Sequence, residues 1–120
     1  MALKEIRVDW ETFNFYIHCV IGPHAELKAY VKKRQRRVYK QRATSDLGGL
    51  YFLSVPKRGG IVWLPKVPRG PDEIGYLAHE IGHAVWDMCS QRGINLDSVN
   101  DEAFCYAIAH GVTTVLKGCK

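Results

Sequence analysis

The stretch from Pro71 to Arg92 constrains the fold of this chain more than any other. Ile74, Leu77, Ala78, Ile81, Ala84, Val85 and Met88 recur at helical spacing and form one apolar arc. Asp72, Tyr76, His79, Glu80, His83 and Asp87 collect on the other side. Pro71 suits the first helical position, and Asp72 and Glu73 complement the positive end of the helix dipole. Gly93 is placed to end the element. The spacing therefore predicts one long helix with a packed face and a chemically loaded face.

The rest of the chain predicts shorter elements around it. Ile6 to Ile21 is rich in β-branched and aromatic residues, and Asn14 to Ile21 reads as a strand. After Gly22-Pro23, Leu27, Tyr30 and Val31 mark a helix from His24 to about Arg37. Leu50 to Val55 and Ile61 to Leu64 read as two strands joined by a glycine-containing loop, a hairpin. Pro65 and Pro68 donate nothing to a sheet, so the second strand is expected to end early or to lie at an edge. Asp97, Ser98 and Asn100 offer caps for a last helix, which runs to about Lys117 with Phe104, Ile108, Val112 and Val115 as its stripe. At 120 residues the chain is expected to be one domain, 1–120. The fold class is α+β: a small mixed or antiparallel sheet of about three strands with three helices, in the order β-α-β-β-α-α.

Inside the long helix stands His79-Glu80-Ile81-Gly82-His83, an HExxH sequence. Histidines four apart share a helix face, so both imidazoles can reach one ion, and zinc accepts such nitrogens in tetrahedral geometry. Glu80 is rotated by about 100° from His79, too far to stack as a ligand but able to touch a water at the metal. That is the place of a general base. Gly82 costs about 1 kcal/mol of helix stability against alanine, which suggests close packing there.

A catalytic zinc site takes a third protein ligand. Downstream, Asn100-Asp101-Glu102-Ala103-Phe104-Cys105-Tyr106 opens the last helix, and Glu102, Tyr106, His110 and Thr113 share the face opposite its apolar stripe. Glu102 is the first candidate ligand, with Asp101 as its main substitute and His110 as another; the competing reading of Glu102 is a plain helix-capping acid. Tyr106, Tyr76 and His110 are candidate oxyanion donors. Asp87, one turn beyond His83, is a candidate to orient it. His18 and His24, near a strand end and a turn, are expected to be non-ligands.

With these residues in place the chain resembles a minimal zincin of the gluzincin type, in which a helical HExxH is joined by a glutamate from a following helix. It is particularly similar to small bacteriophage-encoded metallopeptidases, where HE-x-x-HAV is followed by DEA-x-x-Y; here these are His79 to Val85 and Asp101 to Tyr106. The resemblance implies one Zn2+ per chain on His79, His83 and Glu102, with Glu80 activating water for hydrolysis of a peptide bond. It implies a protein or peptide substrate; separately, strand order and the two prolines point to a substrate added as a strand beside Ile61 to Leu64. The chain departs from large gluzincins in having no second domain to close the cleft.

Charge and cysteines add a competing reading. Net charge is +5, and Lys32, Lys33, Arg34, Arg36, Arg37, Lys40 and Arg42 place seven positive residues within eleven. Such a run is usually a solvated face, although it also suits nucleic acid or an acidic partner docked on a catalytically weak zincin scaffold. Cys19, Cys89, Cys105 and Cys119 show no metal-ribbon spacing and are expected to be free thiols, with Cys89 and Cys105 in the core. No apolar run suits a membrane span or a leader, so a cytoplasmic protein is expected, in the host cytoplasm if phage-encoded.

Overall fold

The computed structural model describes residues 3–35, 49–53, 59–97 and 101–120. Its elements are β1 (Lys4–Trp10), a 3-10 turn (Glu11–Phe13), β2 (Phe15–Ile21), α1 (His24–Gln35), β3 (Leu50–Leu53), β4 (Gly59–Leu64), α2 (Pro71–Gln91) and α3 (Asp101–Gly118). The class is α+β with a mixed sheet and three helices, as the sequence predicts. One strand is added: β1 pairs antiparallel with β2, so the sheet has four strands in the order β1-β2-β4-β3.

β1 forms because Ile6, Val8 and Trp10 alternate with Lys4, Glu5, Arg7 and Asp9, a period-2 pattern that suits a half-buried edge strand. Asn14, at φ 49°, makes the left-handed turn into β2, a conformation asparagine tolerates better than most residues. Arg92, just past α2, donates to the carbonyls of Phe13 and Asn14 and so ties the end of the long helix to this turn.

β4 is a central strand, not an edge: it pairs parallel with β2 and antiparallel with β3. All six of its residues are buried. It does end at Leu64, immediately before Pro65. Side chains alternate between the two faces of the sheet. Phe15, Ile17, Cys19, Val62 and Leu64 face α2 and α3, together with Leu77, Ile81, Ala84, Val85 and Met88 of α2. Val20, Ile61 and Trp63 face α1, where Leu27 and Val31 cover them. Trp63 Nε1 also donates to the Gly22 carbonyl at 2.9 Å, so the indole is buried without an orphaned N–H.

The glycines of the two long helices differ from the sequence expectation. A side chain at Gly82 would meet nothing within 4 Å, so that glycine does not serve close packing. Gly111 does: a Cβ there would come within 2.8 Å of Ile81 and 3.0 Å of Trp10. The tight seam between α2 and α3 thus runs through Ile81 and Gly111. Cys105 is exposed rather than in the core, whereas Cys19 and Cys89 are buried; all four cysteines are free. Among the described residues no helix is long and apolar enough to cross a membrane.

Candidate metal centre

α2 buries Leu77, Ile81, Ala84, Val85 and Met88 of the predicted apolar arc, and Glu80 of the predicted polar face is buried with them. Gly70 and Glu73 fasten its start, with the Gly70 N–H donating to the Glu73 carboxylate at 3.3 Å. Gly93, at φ 69°, reverses the chain at its end, where the Ile94 N–H reaches the Cys89 carbonyl at 2.9 Å. Between these caps Ile81 points into the α3 seam. His79 and His83 lie about 160–200° around the helix from Ile81 and are exposed.

The two imidazoles converge. Their Nε2 atoms are 3.1 Å apart, and the rings meet edge to face with centroids 4.7 Å apart. Glu80 lies beside them, its Oε2 4.0 Å from His79 Nε2. It is the single buried charged side chain among the described residues, at 8% exposure. Burial against Gly49, Leu64 and α2 raises its carboxyl above the ordinary 4.5; the two histidines pull it back without reversing the shift. Tyr76, half-exposed, sits one turn before His79 on the same stripe, and Trp86, more exposed still, sits three residues after His83.

The remaining sequence candidates are not brought to this pair. Glu102 is exposed in the first turn of α3. It lies nine residues before Gly111, roughly 14 Å down the helix and about half a turn around it from the seam with α2. Glu102 therefore faces away from α2, and Asp101 beside it is exposed as well. Tyr106, at 71% exposure, shares that outer face. His110 turns instead to β1: its Nε2 donates to the Asp9 carbonyl at 2.8 Å, and its ring stands on Trp10. Among the described residues no third histidine, cysteine or acid completes a metal site with His79 and His83.

Asp87 is partly buried one turn beyond His83. His18 pairs with Glu5 at 3.1 Å, and the ring of His24 stands edge-on to Trp63. Of the basic run, Lys32 is exposed on α1 and Lys33 and Arg34 lie within the same helix; Arg36, Arg37, Lys40 and Arg42 fall outside the described residues. Two features went unnoticed in the sequence. Gly49 lies against the Glu80 side chain, a contact made through β3 and invisible to helix periodicity. Trp86 belongs to the histidine stripe, which its spacing from His83 could have shown.

Compared with family models, curated protein sequences and solved structures, the chain matches none of them. The reading of this site therefore rests on its own geometry.

Proposed function

We propose that the chain is a zinc-dependent peptidase, with His79 and His83 as metal ligands and Glu80 as general base. The observation that carries it is the 3.1 Å separation of the two Nε2 atoms beside a buried carboxylate. Two nitrogens on one tetrahedral zinc, each at 2.0–2.1 Å, stand about 3.3 Å apart. Two neutral imidazoles sharing a hydrogen bond would also stand this close, so the pair fits zinc without requiring it.

A zinc ion there would supply Lewis acidity toward a peptide carbonyl and toward water. The chain's own residues supply the rest. Glu80 accepts a proton from the attacking water and passes it to the leaving amine, and its raised carboxyl makes it the stronger base for that role. Tyr76, adjacent to His79, replaces Tyr106 and His110 as the candidate oxyanion donor. A substrate strand beside Ile61 to Leu64 is excluded, because β4 is paired on both edges. Among the described residues β3 pairs on one side alone, so an extended peptide could add at its other edge, on the side of α2 that carries Glu80.

The chain offers two of the three protein ligands such a site takes. Glu102 enters as the third through its motif alone, and would reach the pair only if α3 both rolled by about half a turn and shifted along its axis by roughly 10 Å. Loss of zinc from Glu102→Ala would show that rearrangement; unchanged zinc would leave α3 as it stands here.

The reading is tested with a proteome-derived peptide mixture, zinc-loaded protein and mass spectrometry. New peptide ends are expected, abolished by 1,10-phenanthroline and restored by added zinc. A zinc-loaded protein that yields no new ends would overturn it.

A further inference from the structure

The outer face of α2 carries more than the histidine pair. Asp72, Tyr76, His79, His83, Trp86 and Ser90 recur at alternating steps of four and three, which lines them along one stripe of the helix. All six are exposed, Tyr76 at 48% and Trp86 at 61%. Tyr76 and Trp86 are two of the three large hydrophobic side chains exposed among the described residues, and they stand on either side of the histidines. Large aromatics left in solvent on one stripe mark a surface that another molecule covers.

The stripe is symmetric about the level of Ile81. Each residue before that level has a counterpart equally far after it: His79 and His83, Tyr76 and Trp86, Asp72 and Ser90. A second copy laid antiparallel across this face, with a two-fold axis at Ile81, sets Tyr76 beside the partner's Trp86 and the Asp72 carboxylate beside the partner's Ser90 hydroxyl. Such self-complementarity is what a two-fold interface requires. The same operation completes the metal site. His83 lies about 6 Å along the helix from His79 and about 40° around it, so the four imidazoles of the pair fall at alternate corners of a box. Those corners define a tetrahedron, the arrangement in which zinc takes four ligands. Within one chain the set is half filled: two Nε2 atoms 3.1 Å apart and, among the described residues, no third ligand.

We infer that two copies of the chain pair through this face of α2 and share one zinc ion on His79 and His83 of each. The inference rests on the metal reading of the histidine pair and not on hydrolysis. Four imidazoles leave the ion no position for water, so the paired form is idle as a hydrolase. Zinc in excess loads each chain separately and, by mass action, parts the two. Sedimentation equilibrium of the full chain, stripped of metal and titrated with zinc chloride, tests it. The mass is expected to double as zinc reaches one ion per two chains and to fall back once zinc passes one ion per chain. His83→Ala is expected to stay single at every zinc level. Trp86→Glu, an exposed change that leaves both ligands in place, is expected to raise the protein concentration needed for pairing about tenfold or more, the usual cost of losing an aromatic anchor. It should still bind zinc when the metal is in excess. Trp86→Glu pairing as readily as the wild type would overturn the interface. A wild type that binds one zinc per chain and stays single throughout would overturn the bridge and leave the peptidase standing. Pairing on half an ion per chain, in a protein that cleaves no peptide at any zinc level, would uphold the bridge and count against the peptidase.

Discussion

Glu80→Gln is expected to lower peptide hydrolysis by about 10²- to 10⁴-fold, the usual contribution of a positioned general base, while bound zinc stays near the wild-type amount. The amide keeps the shape of the carboxylate but takes no proton from water. The same change should make the metal-free protein more stable. A buried carboxylate has its charged form disfavoured, so its folded pKa lies above the unfolded value. The folded state then binds the proton more tightly, and the group's contribution to stability falls as pH rises from the ordinary carboxylate range through the raised pKa. Glutamine removes that cost, and a melting temperature higher by about 3–6 °C at pH 7, for a gain of about 1 kcal/mol, is the expected reading. Near pH 4 the two proteins should converge. Thermal denaturation at both pH values, with zinc analysis and peptide cleavage on the same samples, checks the whole set. Equal cleavage by the two proteins would remove Glu80 from the chemistry, and a lower melting temperature would show that its charge is stabilised rather than strained.

Trp10→Ala is expected to cost about 4 kcal/mol, the range measured for deleting a large buried aromatic. Trp10 is 5% exposed, stands on Phe15 with ring centroids 6.1 Å apart, and donates its indole N–H to the Ala107 carbonyl at 2.9 Å. It also closes on Gly111 and on the ring of His110. One side chain thus joins the outer strand β1 to α3, and truncation leaves a cavity and removes the indole hydrogen bond between them. Trp10→Phe keeps much of the volume and loses the donor, so about half that cost is expected. Urea unfolding of the three proteins measures both, and a loss below about 1 kcal/mol for Trp10→Ala would mean that α3 is not held through β1.

Trp10 also shows where sequence reading stopped short. Ile6, Val8 and Trp10 carry a strand alternation, but the charged residues between them make the segment look solvated. Its second face is indeed solvent, which is why those charges are tolerated. β4 misled in the other direction. The prolines after it suggested an edge, whereas an unbroken apolar run is what a strand buried on both faces needs. The long helix was legible almost to the residue, because its caps and its apolar arc are local signals: Pro71 and Gly93 bound it as predicted.

The site divides along the same line. His79, Glu80 and His83 are set by spacing within one helix, and their convergence follows from that helix forming. Glu102 and His110 depend on how α3 is rolled against α2 and β1. Helical spacing puts them opposite Phe104, Ile108 and Val115, yet nothing local says which neighbour each of them meets: His110 meets β1 and Glu102 is exposed. The glycines make the same point. Gly82 and Gly111 carry the same propensity cost, and only the packed structure shows that a side chain would clash at Gly111 and meet nothing at Gly82.

Elemental analysis of zinc in protein purified without a metal-affinity tag, wild type beside His83→Ala, tests the central claim most directly. About one zinc per wild-type chain, absent from a folded His83→Ala, is the result the geometry of His79 and His83 predicts. A wild-type protein that holds no zinc even after incubation with the metal would contradict it, and would leave the 3.1 Å approach of the two rings as a hydrogen bond between imidazoles.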